Sequence, residues 1–163
     1  MSGAGENGPV VFAYDGSELA KLAIEEAGRL LGPGHEAVVL TVWKTFDVGF
    51  SPPDDLELDA ADAAEVDQAA QRCAAEGAAL AQAAGFQAAA AAVTAAPAWK
   101  GIVECADDRQ ASLIVLGSHG RRSFAETLLG SVASAVANHS RRSVLIVHRP
   151  GPAEDSSSQQ GSQ

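Results

Sequence analysis

Apolar residues follow two patterns that alternate along this chain. Short apolar runs without polar interruption are typical of buried parallel strands, whereas recurrence every three or four positions is typical of helices packed on one face. The runs predict five strands, at residues 10–14, 37–43, 86–94, 113–116 and 143–148. The periodic segments predict helices that begin at Ser17, Asp59, Pro97 and Ser131. A helix between successive strands predicts one α/β domain, a Rossmann-like open parallel five-stranded sheet with helices on both faces.

The predicted helices carry defined apolar positions. In the first helix they are Leu19, Leu22, Ala23, Ala27 and Leu30. In the second, long helix they are Val66, Ala70, Cys73, Gly77, Leu80 and Ala84. In the third, Trp99 is expected to anchor the core. The third strand, QAAAAAV, has little β propensity, so we expect it at an edge of the sheet.

Polar segments flank the predicted domain, which covers residues 9–149. Residues 1–8 are polar and rich in glycine, and we expect a frayed start. Residues 150–163 contain no core-forming side chains, and we expect this tail to be disordered.

Composition and charge exclude some functions. The 163 residues are 47% hydrophobic and 20% charged, with a net charge of −10. Such an acidic protein is repelled by the phosphates of nucleic acids and by anionic membranes, so we expect neither as a partner. The charge is uneven: residues 109–149 contain six arginines and one glutamate. We expect Arg141 and Arg142 to be solvated surface residues.

The two cysteines, Cys73 and Cys105, lie in predicted helices and form no CxxC motif. A reduced, cytoplasmic protein is the simplest interpretation. The first residues lack the apolar core of a signal peptide. The alanine-rich segment 77–99 is interrupted by glutamine, glycine and proline, and alanine gives little drive into lipid, so no membrane segment is predicted.

The fourth strand leads into a glycine-bearing loop that suits a phosphate group. Gly117, Ser118, His119 and Gly120 follow the strand, and Gly130 and Ser131 begin the next helix. Glycines let a ligand approach the backbone, and a helix N-terminus offers free N–H groups and the positive end of its dipole. The alternative is that these glycines only shape turns.

Asp15 follows the first strand directly, in the sequence Asp15-Gly16-Ser17. An acid at the carboxyl end of a parallel strand can reach a ribose hydroxyl or a metal ion. Asp followed by Gly is equally a common turn pair.

Three features of the sequence resemble the ATP-binding branch of the universal stress protein family. They are the spacing Gly117-x2-Gly120-x9-Gly130-Ser131, the segments GSHG and LLGSV, and the DGS turn. The resemblance covers residues 9–149 and implies a strand order of 3-2-1-4-5. It also implies an ATP-binding protein that acts as a dimeric, nucleotide-dependent regulator of the stress response. In the family the last strand, here residues 143–148, pairs with its counterpart in a second copy, so a homodimer is expected.

The resemblance also implies roles for individual residues. Adenine would lie against the backbone of Val42 and against Ala13 and Tyr14, whose ring would narrow the pocket or stack on the base. Asp15 and Gly117 would hold the ribose. Phosphates would be bound by the backbone N–H groups of Gly120, Gly130, Ser131 and Val132 and by the Ser131 hydroxyl. The nucleotide site would also include Ser118, His119 and Arg121. Mg²⁺ or Mn²⁺ would bridge the phosphates, and Arg121 with Arg122 would add a clamp unless both are merely exposed.

Catalytic motifs are missing from the sequence. It contains no GxxxxGK[ST], GxSxG or HExxH, and its four histidines show no metal-ligand pattern. Binding therefore fits better than turnover. Three alternatives stay open. The first is an enzyme, either a slow ATPase or a protein that phosphorylates itself on a loop residue such as Ser123 or Thr127. The others are a binder of another adenine nucleotide such as cyclic AMP and a structural dimer with an empty cleft.

Overall fold

The computed structural model describes residues 8–44, 60–120 and 128–151, which form five strands and four helices. In chain order these are β1 Val10–Ala13, α1 Glu18–Leu31, β2 Glu36–Trp43, α2 Ala60–Ala83, β3 Gln87–Thr94, α3 Ala98–Asp108, β4 Leu113–Gly117, α4 Ser131–His139 and β5 Ser143–Val147. The predicted elements are therefore confirmed. The last strand ends one residue earlier than predicted, so that His148 lies outside it.

All strand pairs in the sheet are parallel, and the strand order is β3-β2-β1-β4-β5. The predicted architecture and strand order are thus confirmed. Val10 lies opposite Ala37 of β2 and opposite Leu113 of β4, which places β1 at the centre. Its first three residues are buried, as expected for a strand covered on both faces. The alanine-rich β3 lies at one edge of the described sheet, and β5 lies at the other.

Two hydrophobic clusters cover the two faces of the sheet. One joins β1 to α1 and α2, and contains an edge-to-face pair of Phe12 and Phe86 with ring centroids 5.1 Å apart. The other joins the sheet to α3 and α4 through Val11, Ile102 and Val136. Because successive strand residues point to opposite faces, β1 contributes to both clusters.

The first helix begins and ends as its sequence predicts. The Ser17 hydroxyl accepts a hydrogen bond from the Ala20 N–H at 3.2 Å, and Gly32 ends the helix with a positive φ of 76°. The predicted apolar stripe is wrong at Leu30, which is 54% exposed. Leu30 lies beyond the core, in a groove between α1 and β5 that Leu145 and His148 also line.

The buried face of α2 is made of small residues. The most buried are Ala70, Ala74, Ala78 and Ala81, whereas the larger predicted residues Cys73 and Leu80 are only half-buried. Gly77 packs so closely that an added Cβ would lie 2.7 Å from the Tyr14 ring. Small side chains thus let α2 approach the sheet.

The arginines before β5 behave differently from one another. Arg141 is exposed, but the Arg142 guanidinium donates a hydrogen bond to Asp107 Oδ1 at 2.9 Å and contacts the Ala111 carbonyl at 3.4 Å. The expectation that both are solvated is therefore wrong for Arg142, because it joins the last strand to α3. Trp99 is half-buried and stacks on His139, with ring centroids 4.2 Å apart, which joins α3 to α4.

Both cysteines lie in helices, and neither forms a disulfide bond within the described residues. Within residues 8–44, 60–120 and 128–151, no helix is long and apolar enough to cross a membrane.

Candidate functional site

The carboxyl ends of β1 and β4 lie side by side at the centre of the sheet. After β1 the chain enters α1 on one face, whereas the helix that follows β4 packs on the opposite face. This divergence leaves a crevice at the point where the strand order reverses. Open α/β sheets bind their ligands at such a point.

On the β1 side, hydrogen bonds hold the position of Asp15. Its Oδ1 atom accepts a hydrogen bond from the Ser17 N–H at 3.0 Å, and Gly16 takes a positive φ of 79°. Just before it, the Tyr14 N–H donates to the Leu40 carbonyl at 2.9 Å. The Asx-type turn and the last sheet bond together place the carboxylate at the entrance to α1.

On the β4 side, Ser118 joins the strand to the start of α4. It is 2% exposed, and its N–H donates to the Val147 carbonyl at 2.8 Å. Its carbonyl accepts a hydrogen bond from the Gly130 N–H, also at 2.8 Å. The two ends of the segment between residues 118 and 130 therefore meet, although Arg121, which belongs to the predicted site, lies outside the described residues.

Two glycines of the predicted motif make close approaches. A Cβ added at Gly120 would lie 2.8 Å from Asp15 Oδ2, and one at Gly130 would lie 2.9 Å from the Ser118 carbonyl oxygen. A side chain at either position requires its neighbours to shift. Gly120 and Asp15, which are 105 positions apart in sequence, are thus brought together by the fold.

The start of α4 is suited to an anion. Gly130 is its N-cap and provides no side-chain hydrogen bond to the helix, while Ser131 and Val132 are exposed. The first N–H groups of a helix have no partners inside the helix, and they lie at the positive end of its dipole. No acidic residue lies in the first turn of α4, so these donors are available to a bound anion.

The predicted adenine contacts divide between the two faces of the sheet. Ala13 and Val42 pack with the cluster beneath α3 and α4. The Tyr14 ring packs with α1 and α2, is 3% exposed, and its hydroxyl donates to Glu76 Oε1 at 3.0 Å. Burial, and then Glu76, raise the pKa of Tyr14. The Tyr14 ring therefore lies on the face of the sheet opposite to the side chains of Ala13 and Val42.

Two buried ring nitrogens lie at the carboxyl ends of β2 and β4. Trp43 Nε1 and His119 Nε2 are buried and have no hydrogen-bond partner among the described residues. The other ring nitrogen of His119, Nδ1, lies 3.0 Å from Ser118 Oγ. The described residues contain no group of three or more His, Cys, Asp or Glu side chains arranged to hold a metal ion.

Two contributors to this end of the sheet escape sequence reasoning. Thr41 is buried, and its hydroxyl donates to the Tyr14 carbonyl at 2.9 Å. Glu76 reaches the Tyr14 hydroxyl from α2, 62 positions away. The only sign of Thr41 in the sequence is that it is a lone threonine within an apolar strand. The sequence gives no sign of the role of Glu76.

Comparisons with known proteins agree with this geometry. Residues 6–148 match the family model described as Universal stress protein family. A segment of 48 residues, 29% of this chain, is 44% identical to Universal stress protein MJ0577 of Methanocaldococcus jannaschii, and the match spans 30% of that relative's length.

Solved structures extend the likeness to nearly the whole chain. Hypothetical protein MJ0577 superposes with a TM-score of 0.71 at 22% identity, over 89% of this chain and 98% of that one. A universal stress protein in complex with cAMP gives a TM-score of 0.60 at 29% identity, over 88% and 98%. One from Archaeoglobus fulgidus in complex with dAMP gives 0.55 at 22%, over 85% and 95%.

Proposed function

Because the chain belongs to the universal stress protein family, we propose that it binds an adenine nucleotide in the crevice between β1 and β4. The observation that carries this proposal is the convergence of Asp15 and Gly120 at the crevice, beside a helix whose N-terminus lacks a side-chain cap. A carboxylate for a ribose and free amides for phosphates are complementary to a nucleotide.

ATP is the ligand that we propose first. Its phosphates would lie against the first turn of α4, at Gly130, Ser131 and Val132, with Gly120 and His119 beside them. Gly117 and Asp15 would hold the ribose, and Arg121 would extend the phosphate site. A chain of three phosphates also brings its own oxygen ligands for Mg²⁺ or Mn²⁺, so the protein need not supply a complete metal site.

Adenine would be bound by backbone groups at the end of β2. The N–H and C=O of Val42 point toward the β1 side, and β1 ends at Ala13, opposite Leu40. The planar base would lie beside Val42, bordered by Ala13.

A different adenine nucleotide is the second candidate. The structural relative at 29% identity is a complex with cAMP, and a cyclic phosphate would use the same N–H groups of α4. Competition between ATP and cyclic AMP distinguishes the two ligands.

The experiment is to identify and then measure the ligand. Mass spectrometry of small molecules released from freshly purified protein should find an adenine nucleotide. Titration calorimetry should then show saturable binding of ATP or cyclic AMP and much weaker binding of GTP. If none of the adenine nucleotides binds to folded protein, the proposed function is wrong and a purely structural module is left.

We also propose a cytoplasmic homodimer that acts in the stress response. The exposed edge of β5 is a template for pairing with a second copy, and the adjoining groove contains the exposed Leu30. Light scattering after chromatography should give twice the mass of one chain, and Leu30→Glu should shift the protein toward the monomer. A wild-type protein that stays monomeric at high concentration would contradict this part of the proposal.

A further inference from the structure

The hydrogen-bond ladder between β1 and β2 stops one bond early. The strands pair from Val10 with Ala37 to Ala13 with Leu40, and the Tyr14 N–H extends the ladder by donating to the Leu40 carbonyl. In a parallel ladder the next bond would run from the Val42 N–H to the Tyr14 carbonyl. That bond is not formed within the described part of the chain.

The Thr41 side chain takes the place of the missing bond. Its hydroxyl donates to the Tyr14 carbonyl at 2.9 Å, and the residue is 8% exposed. A buried carbonyl without a partner would be destabilising, so the hydroxyl satisfies an acceptor that the Val42 N–H would otherwise have to satisfy.

The direction of the Val42 backbone follows from its neighbour. The Trp43 carbonyl accepts a hydrogen bond from the Ala95 N–H at 3.1 Å, so Trp43 faces the β3 side. Since adjacent strand residues direct their backbone groups to opposite sides, both groups of Val42 face the β1 side. There the chain has already turned away into Asp15 and α1.

Tyr14 is held in place without the missing bond. Its hydroxyl donates to Glu76, and its ring packs against Gly77 of α2. These contacts on the α1/α2 face fix the residue at which β1 separates from β2. The early end of the ladder is thus supported by Thr41 of β2 and by Glu76 and Gly77 of α2.

From this geometry we propose that Thr41 is a positioning residue, whose hydroxyl ends the β1–β2 ladder and so leaves the N–H and C=O of Val42 available to the edge of an adenine base. The inference rests on the proposed function. A backbone N–H beside a C=O is complementary to the ring-nitrogen acceptor and amino donor of adenine. Guanine has a carbonyl acceptor and an N–H donor in these places, so the same pair disfavours it.

The ladder is tested first, in the absence of any nucleotide. Thr41→Val removes the hydroxyl at nearly constant volume, so the Val42 N–H becomes the remaining donor for the Tyr14 carbonyl. Amide hydrogen exchange followed by NMR should show slower exchange of Val42 in this variant, by at least tenfold. Thr41→Ser should restore the fast exchange, and Thr94→Val, the same change at the end of β3, should not alter it. A Val42 amide that is already as protected as Leu40 in the wild type would overturn the inference.

Nucleotide binding is then measured on the same proteins. Thr41→Val should weaken ATP binding about tenfold and reduce the preference for ATP over GTP, while Thr41→Ser stays near the wild type. Inorganic triphosphate should bind both variants equally, because α4 is untouched. If exchange at Val42 slows but ATP affinity is unchanged, Thr41 has no role in recognition. If the wild type binds no adenine nucleotide at all, the proposed function fails, while the exchange data still decide how the ladder ends.

Discussion

The two ends of the central strands are built in opposite ways. At the amino end, backbone and side chains close on one another: the Ser112 N–H donates to the Pro9 carbonyl at 3.1 Å, and the Ala111 N–H to the Ala106 carbonyl at 2.8 Å. Arg142 adds its ion pair with Asp107. These polar groups at the amino end are therefore engaged in hydrogen bonds or ion pairs within the fold.

At the carboxyl end, the same kinds of groups are left available. The first turn of α4 lacks a side-chain cap, and the ladder stops before Val42. A side chain at Gly120 would crowd Asp15, and one at Gly130 would crowd the Ser118 carbonyl. From this comparison we expect the amino end to contribute mainly to stability and the carboxyl end to contribute to the proposed binding. Substitutions should therefore separate into those that change the free energy of unfolding and those that change nucleotide affinity.

The largest expected effect is the loss of nucleotide binding in Gly130→Val. The new side chain meets the Ser118 carbonyl, 2.9 Å from the added Cβ, and displaces the start of α4. We expect ATP affinity to fall by roughly 100-fold, or about 2.7 kcal/mol, by titration calorimetry. Gly120→Val, which meets Asp15, should act similarly.

Gly151→Val is the matched control, because an added Cβ there has no atom within 4 Å. It should leave both affinity and melting temperature unchanged. A folded Gly130→Val protein with wild-type ATP affinity would contradict a role of the carboxyl end in nucleotide binding.

Asp15→Ala should have a smaller effect on binding. Removing the carboxylate takes away the proposed ribose contact and the acceptor for the Ser17 N–H. We expect about tenfold weaker ATP binding, which corresponds to about 1.4 kcal/mol, together with a lower melting temperature.

Asp15→Asn separates the two losses, since an amide oxygen still accepts from Ser17. It should keep the wild-type melting temperature while binding ATP more weakly than the wild type. Equal affinity in all three proteins would show that Asp15 serves only the turn.

A substitution at the amino end should change the free energy of unfolding and leave ATP affinity unchanged. Arg142→Met removes a partly exposed ion pair and a weak contact to a carbonyl. We expect the free energy of unfolding to fall by about 1 kcal/mol, with ATP affinity unchanged. Urea denaturation and calorimetry on the same samples measure both quantities. Arg141→Met, at the exposed neighbour, should change neither, and a fall in affinity for Arg142→Met would break the division between the two ends.

The sequence predicts most of the frame on which this division rests. Uninterrupted apolar runs gave the five strands, and periodic segments gave the helices, because buried parallel strands and one-sided helices leave different spacings. The strand order came from the resemblance to a family, since strand spacing alone does not decide it. The face of α2 was less predictable, because alanines and glycine pack closely without a large apolar stripe.

The contacts that could not be predicted, in the site and at the amino end, depend on distant partners. Thr41 and Glu76 act on Tyr14 from β2 and α2, and Arg142 reaches Asp107 over 35 positions. Nothing near these residues in sequence indicates the contact. The same holds for the Tyr14 ring, which packs among residues of α1 and α2.

The smallest predicted effect tests that buried ring, which lies just beneath the open end. Burial and the Glu76 carboxylate raise the pKa of Tyr14 above its ordinary value, so the folded protein favours the neutral phenol. The unfolded chain ionises near pH 10. The stability that this difference provides is therefore complete below about pH 10 and is lost as the pH rises further.

Tyr14→Phe should lower the free energy of unfolding by about 1 kcal/mol at pH 8. Its disadvantage relative to the wild type should shrink between pH 10 and 11 in urea denaturation. Glu76→Gln keeps an acceptor without the charge, so it should lower the pKa of Tyr14 in the folded protein; the loss of stability should still begin near pH 10 but be smaller in total than in the wild type. Parallel stability curves for the wild type and Tyr14→Phe up to pH 11 would mean that the phenol is not buried beneath the site.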